Sequence, residues 1–152
     1  MKAFINDSFI DIQHASLSVN DLAINRGYSV FDFLRTHHQI PLYINDHLNR
    51  FQHSADLLRL KIPYSLKKVK SIILELIKLN QLNNYGIRMV LTGGISENNF
   101  TIAKPNFIIT SSKISLPSIK DFEKGMKLIT HDFKRTIASS KSTNYLMAIW
   151  LQ

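Results

Sequence analysis

Hydrophobic and polar residues alternate at the start of the chain, and hydrophobic residues recur at helical spacing in its middle. Two short apolar runs on either side of Asn6-Asp7-Ser8 predict an opening β-hairpin. Further runs with the composition of strands occupy residues 30–36, 41–44, 87–92, 106–110 and 126–131. The predicted strands thus lie before and after a helical region.

Two segments in the middle of the chain have apolar residues at three- and four-residue steps, which predicts amphipathic helices. Asn45 or Asp46 is a suitable N-cap for the first helix. Its buried face is predicted to contain Leu48, Phe51, Ala55 and Leu58. A separate polar stripe on this helix consists of His47, Arg50 and Ser54. The second helix follows a serine cap, and its apolar residues also share one face.

The order of these elements predicts an α+β fold with an incomplete second part. Residues 1–112 are predicted to form a small domain of mixed sheet with two helices. Residues 113–125 contain a proline and several serines and lysines, which is typical of an interdomain linker. Residues 126–152 are predicted to supply the first strand and helix of a second, truncated domain. No later segment of this sequence covers the apolar side of that last helix, so we expect an interface or a missing segment there.

The composition excludes several classes of protein. The chain has 152 residues, of which 45% are hydrophobic, and no apolar run is long enough to cross a membrane. We therefore expect a soluble protein with no membrane partner. The absence of cysteine excludes disulfides and thiolate metal sites and is compatible with the cytoplasm. His37 and His38 are adjacent and would face opposite sides of a strand, so we infer no metal site.

The formal net charge of +8 raises the question of nucleic-acid binding. The densest basic cluster, Lys67, Lys68 and Lys70, lies on the polar side of the second predicted helix, and no aromatic residues are interleaved with it. A solvated helix face explains this cluster better, and we expect no nucleic-acid partner. Ligands that carry phosphate would suit the same surplus of positive charge.

Lys141 lies in the sequence Ser140-Lys141-Ser142-Thr143-Asn144-Tyr145, directly before an apolar helical run. Ser, Thr and Asn open helices, so this lysine is predicted at a helix N-terminus, where the dipole disfavours a cation. An amine that has lost its proton is a nucleophile and forms a Schiff base with an aldehyde. The alternative is a solvated lysine in the loop before a helix.

Four segments together resemble the class IV, fold-type IV pyridoxal-phosphate enzymes. This family includes branched-chain and D-amino-acid aminotransferases and aminodeoxychorismate lyase. The segments are Arg26-Gly27-Tyr28 with Val30-Phe31-Asp32, Asp46-His47-Leu48-Asn49-Arg50-Phe51 with Ser54-Ala55, Tyr85-Gly86-Ile87-Arg88 with Thr92-Gly93-Gly94, and Lys141-Ser142-Thr143-Asn144-Tyr145. They occur in the order and at the separations of the family, over nearly the whole chain.

The resemblance implies roles for five residues. Lys141 would form the Schiff base with pyridoxal 5'-phosphate and later act as the base at the substrate Cα. Arg50 would contact the cofactor phosphate and Tyr145 the ring oxygen. Phe31 would line the substrate pocket, and Arg88 would lie near the substrate carboxylate. The corresponding structural alternatives are a surface arginine for Arg50, a core aromatic for Phe31 and an ion pair for Arg88.

The sequence also departs from the pattern of this family. Asn98-Asn99-Phe100 stands near the place of the Arg-x-His pair of D-amino-acid enzymes, which counts against D-amino acids. The chain is about four residues shorter than the family pattern between Tyr28 and Val30. Arg135 recurs in relatives, and its role stays open. The residues that the second half of the family places around the cofactor are not in this sequence, so the chain alone is expected to bind it poorly.

The function that the resemblance implies is amino-group transfer between an amino acid, branched-chain-like, and a 2-oxo acid. One alternative is the elimination of pyruvate, as in aminodeoxychorismate lyase. Another is a non-catalytic remnant that dimerises or binds partners through its basic surface. The resemblance also implies a homodimer formed through the small domain, with the active sites near the interface.

Overall fold

A computed structural model describes residues 1–152. Six strands form one sheet in the order β2-β1-β6-β5-β3-β4. Their bounds are β1 Lys2–Ile5, β2 Ser8–Asp11, β3 Ser29–His37, β4 Ile40–Pro41, β5 Tyr85–Thr92 and β6 Phe107–Lys113. Every pairing is antiparallel, whereas we expected a mixed sheet. The α+β class is confirmed.

Five α-helices accompany the sheet. Their bounds are α1 Leu22–Asn25, α2 Ile44–Leu57, α3 Leu66–Asn80, α4 Ile119–Lys124 and α5 Leu146–Trp150, and a short 3-10 turn covers Ile12–His14. The predicted hairpin is formed, with Asn6 in the left-handed region at its turn. Ser65 caps α3 as predicted, accepting a hydrogen bond from the Lys68 N–H.

The long helices α2 and α3 pack against one face of the sheet. Alternation along β5 directs Ile87, Met89 and Leu91 into this core, where none of them is exposed. The predicted helix face contributes Leu48, Phe51, Ala55 and Leu58. Because side chains alternate, the intervening residues of β3 and β5 lie on the other face, which no helix of the chain covers. Two of the predicted site residues, Phe31 and Arg88, are on that face.

The start of α2 differs from the prediction. The helix begins at Ile44, and its N-cap is Tyr43, which has a φ of 48° and no side-chain hydrogen bond. Asn45 and Asp46 are therefore inside the first turn, and β4 ends at Pro41. Local propensity placed the cap on the best capping residues, but the chain leaving β4 must turn sharply, and the left-handed Tyr43 makes that turn.

The region after β6 contains less regular structure than predicted. Residues 126–134 form neither strand nor helix, although Met126–His131 has the composition of a strand. A strand forms only when a neighbouring strand binds its backbone groups, and no strand of this chain lies beside that segment. The predicted linker contains the short helix α4, which a capping box between Ser118 and Asp121 stabilises.

Candidate active site

The segment Lys141–Thr143 lies along the outer edge of β3. Ser142 pairs with Val30 in an isolated antiparallel bridge. The Phe31 N–H donates to the Lys141 carbonyl oxygen at 2.9 Å, and the Thr143 N–H donates to the Ser29 carbonyl oxygen at 3.0 Å. A hydrogen bond between the hydroxyls of Ser29 and Thr143 adds to this pairing. The sheet therefore holds the candidate lysine, although more than one hundred residues separate the paired positions.

This position corrects the prediction for Lys141. Helix α5 begins only at Leu146, with Tyr145 as its N-cap, so Lys141 is not at a helix N-terminus. Residues 142–144 open no helix because two of them are engaged with β3. The dipole argument for a reactive amine therefore does not apply to this lysine. The structure instead places it on a strand edge, with its amine beside an aromatic ring.

The side chain of Phe31 is the centre of the predicted site. The Lys141 Nζ atom is 4.5 Å from the centre of the Phe31 ring, and the Arg88 guanidinium carbon is 4.6 Å from it. The ring of Tyr145 meets the same ring edge to face at 5.6 Å between centroids. Phe31 is 6% exposed and contacts two cations, an arrangement that the negative face of an aromatic ring favours. Four of the five predicted site residues are thus brought together.

Arg88 has no acidic partner in the chain. Its guanidinium contacts Phe31 but forms no ion pair, so the alternative of a structural ion pair is not realised. Alternation along β5 places it on the uncovered face, as predicted, and it is exposed. This arginine is free to bind a carboxylate that approaches the sheet from that side.

Arg50, the fifth predicted residue, lies on α2 and is held by Asp32. Its Nε and Nη2 atoms donate to the two carboxylate oxygens at 2.7 and 2.9 Å. The Nδ1 atom of His47 is 2.7 Å from the same carboxylate. Asp32 follows Phe31 on β3 and points to the opposite, helix-covered face. The sequence pattern placed Arg50 and His47 on one stripe but did not identify Asp32 as their partner.

The charges of this cluster are mutually stabilising. Burial alone would raise the pKa of Asp32, but hydrogen bonds from Arg50 and His47 outweigh burial and lower that pKa. The hydrogen bond with Asp32 raises the pKa of Arg50, and Tyr145 adds a smaller effect in the same direction. Arg50 therefore remains a cation, and its half-exposed side chain has the Nη1 atom free for an anion.

Ser54 connects the Arg50 helix to the lysine segment. Its buried hydroxyl accepts a hydrogen bond from the Lys141 backbone N–H at 3.0 Å and donates one to the Arg50 carbonyl oxygen at 2.8 Å. We predicted Ser54 only as part of a polar stripe. Its position four residues after Arg50 was the signal that could have indicated a link.

A cavity of about 340 Å³ lies beside Tyr145, between residues 131–136 and α5. Ser142 and Asn144 contribute to its wall, whereas Lys141 and Phe31 do not. Arg135 lines it as well, with its guanidinium carbon 5.2 Å from the centre of the Tyr145 ring. The cavity thus adjoins the cluster around Phe31 without containing its amine.

The family model for amino-transferase class IV matches residues 29–152. The chain belongs to this family. Among its class IV relatives is the D-alanine aminotransferase of Staphylococcus haemolyticus, which is 28% identical over 149 residues, covering 95% of this chain and 53% of that protein. The chain thus spans about half the length of this curated relative.

Two solved class IV structures have the same fold. A putative 4-amino-4-deoxychorismate lyase from Legionella pneumophila superposes with a TM-score of 0.80 and 24% identity, covering 93% of this chain and 53% of its own. The branched-chain amino acid aminotransferase of T.th., solved with pyridoxamine 5'-phosphate, gives a TM-score of 0.69 and 23% identity, covering 76% of this chain and 40% of its own. Fold-type IV architecture is therefore confirmed. None of the helices in the chain is long and apolar enough to cross a membrane.

Proposed function

We propose that this class IV chain supplies the lysine-bearing half of an enzyme that transfers an amino group between an amino acid and a 2-oxo acid with pyridoxal 5'-phosphate. The observation that carries the proposal is the convergence of Lys141, Arg88 and Tyr145 on the ring of Phe31. An amine, a carboxylate-binding cation and a phenol beside one apolar surface are the groups that such a reaction uses.

The donors of the chain fit this cofactor. Lys141 Nζ makes no hydrogen bond or ion pair within the chain and would bind the aldehyde. Arg50, fixed by Asp32 but with Nη1 free, would bind the phosphate, which a planar guanidinium suits. Tyr145 would donate to the ring oxygen. When bound, pyridoxal phosphate withdraws electrons from the substrate and makes its Cα–H acidic.

The residues of the chain then orient the substrate and move a proton. Arg88 would bind the substrate carboxylate, and Phe31 would contact an apolar, branched-chain-like side chain. With the amine displaced from the aldehyde, Lys141 Nζ would take the proton from the substrate Cα. We propose that the protein is cytoplasmic, with which the absence of cysteine is compatible. We also propose a homodimer, because Phe31 and Arg88 lie on a sheet face that no helix of the chain covers.

The proposal is tested by adding pyridoxal 5'-phosphate to the purified chain, reducing with borohydride and locating the fixed cofactor by mass spectrometry. We expect the cofactor on Lys141, and we expect Lys141→Arg to abolish this labelling. Lys127→Arg is the matched control, because Lys127 is exposed and is not one of the two cations at the Phe31 ring. Cofactor spread over many lysines, unchanged by Lys141→Arg, would contradict the proposal and favour a non-catalytic interaction module.

A second measurement separates transamination from lyase chemistry. The enzyme, completed by the other half of a class IV protein, is supplied with an amino acid and a 2-oxo acid, and then with aminodeoxychorismate. Amino transfer that requires the oxo acid supports our proposal. Release of pyruvate from aminodeoxychorismate, without any oxo acid, would assign the lyase reaction instead.

A further inference from the structure

Ser54 lies one helical turn after Arg50, where the Lys141 segment crosses α2. Its side chain is fully buried, and it uses both the donor and an acceptor position of its hydroxyl. The proton is donated to the Arg50 carbonyl, so the lone pairs are oriented toward the Lys141 N–H. One hydroxyl therefore bonds to the backbones of both residues.

The Lys141 N–H has no partner in the sheet. In the pairing with β3, the Lys141 carbonyl accepts from Phe31 and the Thr143 N–H donates to Ser29. The Lys141 N–H takes no part in this pairing and donates instead to the Ser54 hydroxyl on α2. It would otherwise be unpaired in a partly buried position, which is unfavourable, and Ser54 satisfies it.

The location of the Lys141 amine depends on these backbone bonds. A lysine side chain has four flexible carbons and adds little precision of its own. The Phe31 N–H donates to the Lys141 carbonyl oxygen, and the Lys141 N–H donates to the Ser54 hydroxyl. Because Phe31 also supplies the ring 4.5 Å from the amine, the two bonds keep the amine at that ring. Loss of one bond would let the peptide before Lys141 rotate.

We propose that Ser54 is a positioning residue that fixes the Lys141 amine relative to the Arg50 guanidinium. The four residues from Arg50 to Ser54 rise about 6 Å along the helix axis, so the bond from Ser54 holds the Lys141 backbone at a fixed distance along α2 from Arg50. This inference rests on the proposed function, since only a ligand with both an aldehyde and a phosphate requires the two groups at a constant separation. Small displacements at such a site reduce reactivity strongly.

The test compares Ser54→Ala and Ser54→Cys with the unaltered chain. Cysteine keeps the side-chain volume but accepts hydrogen bonds only weakly, so it separates the lost bond from a lost volume. Ser71→Ala is the matched control. The Ser71 hydroxyl also donates to the carbonyl four residues earlier, at 3.1 Å, but it is exposed and makes no hydrogen bond to another element.

Two readouts report the lysine without any cofactor. The first is hydrogen exchange at the Lys141 amide, which we expect to accelerate roughly tenfold or more in both Ser54 variants. The second is the upfield NMR shift that the Phe31 ring imposes on the ε-protons of Lys141, which we expect to diminish. Ser71→Ala should change neither value. The proposal would be overturned if the exchange rate and the ε-proton shift kept their original values in Ser54→Ala. It would also be overturned if both changed in Ser54→Ala but not in Ser54→Cys.

A third readout is the yield of pyridoxal phosphate fixed on Lys141 by borohydride, which we expect to fall at least severalfold in both variants. An unchanged yield despite a displaced amine would also overturn the proposal. If the unaltered chain fixes no cofactor on Lys141, the proposed function fails for this chain, whereas the positioning of the amine is still decided by exchange and NMR. The two failures are therefore distinguishable.

Discussion

Asp32 is the residue on which the Arg50 cluster depends. It is fully buried and receives hydrogen bonds from Arg50 and His47, and its pKa is lowered in the folded chain. We expect Asp32→Asn to reduce the free energy of unfolding by about 1–3 kcal/mol at pH 7, because the neutral amide has one acceptor oxygen in place of the carboxylate that binds Arg50 and His47. Urea unfolding of the two proteins measures this difference.

The difference in the free energy of unfolding between Asp32→Asn and the unaltered chain should also depend on pH, in a direction that the lowered pKa of Asp32 sets. A carboxyl with a lowered folded pKa stabilises the fold fully above its unfolded pKa of about 3.9, and this contribution is lost as the pH falls through the folded value. The difference between Asp32→Asn and the unaltered chain should therefore shrink below about pH 4. Asp11 and Asp121, whose pKa values are also lowered, are present in both proteins and cancel. A difference that stays constant down to acid pH would contradict the assigned ion pair.

Position 94 requires glycine because of both its backbone conformation and the atoms around it. Its φ is +80°, and a Cβ atom there would be 2.1 Å from the Lys104 carbonyl oxygen. We expect Gly94→Ala to destabilise the chain by about 2–4 kcal/mol. Gly27→Ala is the control, because Gly27 has a φ of +62° but open space around it, and we expect only about 1–2 kcal/mol there. Equal effects in urea unfolding would show that the steric contact is unimportant.

At the scale of elements, removing the N-cap should affect stability differently for a helix that packs in the core and for one that does not. Ser65 caps α3, which buries five apolar residues, and Ser118 caps α4, which buries none. We expect Ser65→Ala to lower the free energy of unfolding by about 1 kcal/mol, and Ser118→Ala to leave it unchanged. Circular dichroism with urea measures both. A global loss from Ser118→Ala would show that α4 unfolds together with the sheet.

The elements with a regular hydrophobic period could be predicted from the sequence, whereas the structure of residues 126–131 and the start of α2 could not. Strands β3 and β5 and the faces of α2 and α3 follow from periods of two and 3.6 residues, which local sequence contains. The strand at 126–131 was wrong because strand formation depends on a partner, not on composition alone. The start of α2 was wrong because Tyr43 adopts a left-handed turn that no capping preference indicates.

The candidate site was predictable by residue type but not by arrangement. The motifs around Lys141, Arg50, Tyr145, Phe31 and Arg88 selected residues that the fold places on or beside β3 and β5. Their connections arise from long-range pairing, such as that of Val30 with Ser142, which no local pattern contains. For the same reason, the partnership of Asp32 with Arg50 and the link through Ser54 required the structure.

At the scale of the whole molecule, large apolar side chains are concentrated near the end of the chain. Six that are more than two-thirds exposed are Met126, Leu128, Ile129, Leu146, Ile149 and Trp150. These six side chains, called the terminal apolar region, lie within residues 126–129 and α5, and exposed apolar surface of this kind is typical of interaction sites. This concentration agrees with the expectation that an interface or a missing segment covers the last helix. It contrasts with the buried core between the sheet and α2 and α3.

This region should bind an apolar fluorescent dye under native conditions. We expect Ile149→Ser to reduce dye binding while leaving the free energy of unfolding within about 0.5 kcal/mol, because the side chain is 69% exposed. Leu79→Ser is the control, since Leu79 is an exposed leucine on α3, away from this region. Dye fluorescence and urea unfolding measure the two quantities. Equal loss of dye binding in both variants would show that the dye does not recognise the terminal region.

The docking of Lys141–Thr143 on β3 has a consequence for the order of folding. Thr143 and Ser29 bond although they are 114 positions apart, and β1 cannot pair with β6 until residues near 109 have been synthesised. Contacts between such distant positions form slowly, because a long loop must close first. During synthesis the six strands, which end at Lys113, can assemble while Lys141 is still inside the ribosome. The amine thus reaches Phe31 only after the sheet has formed, so the sheet would be folded before the lysine could bind an aldehyde.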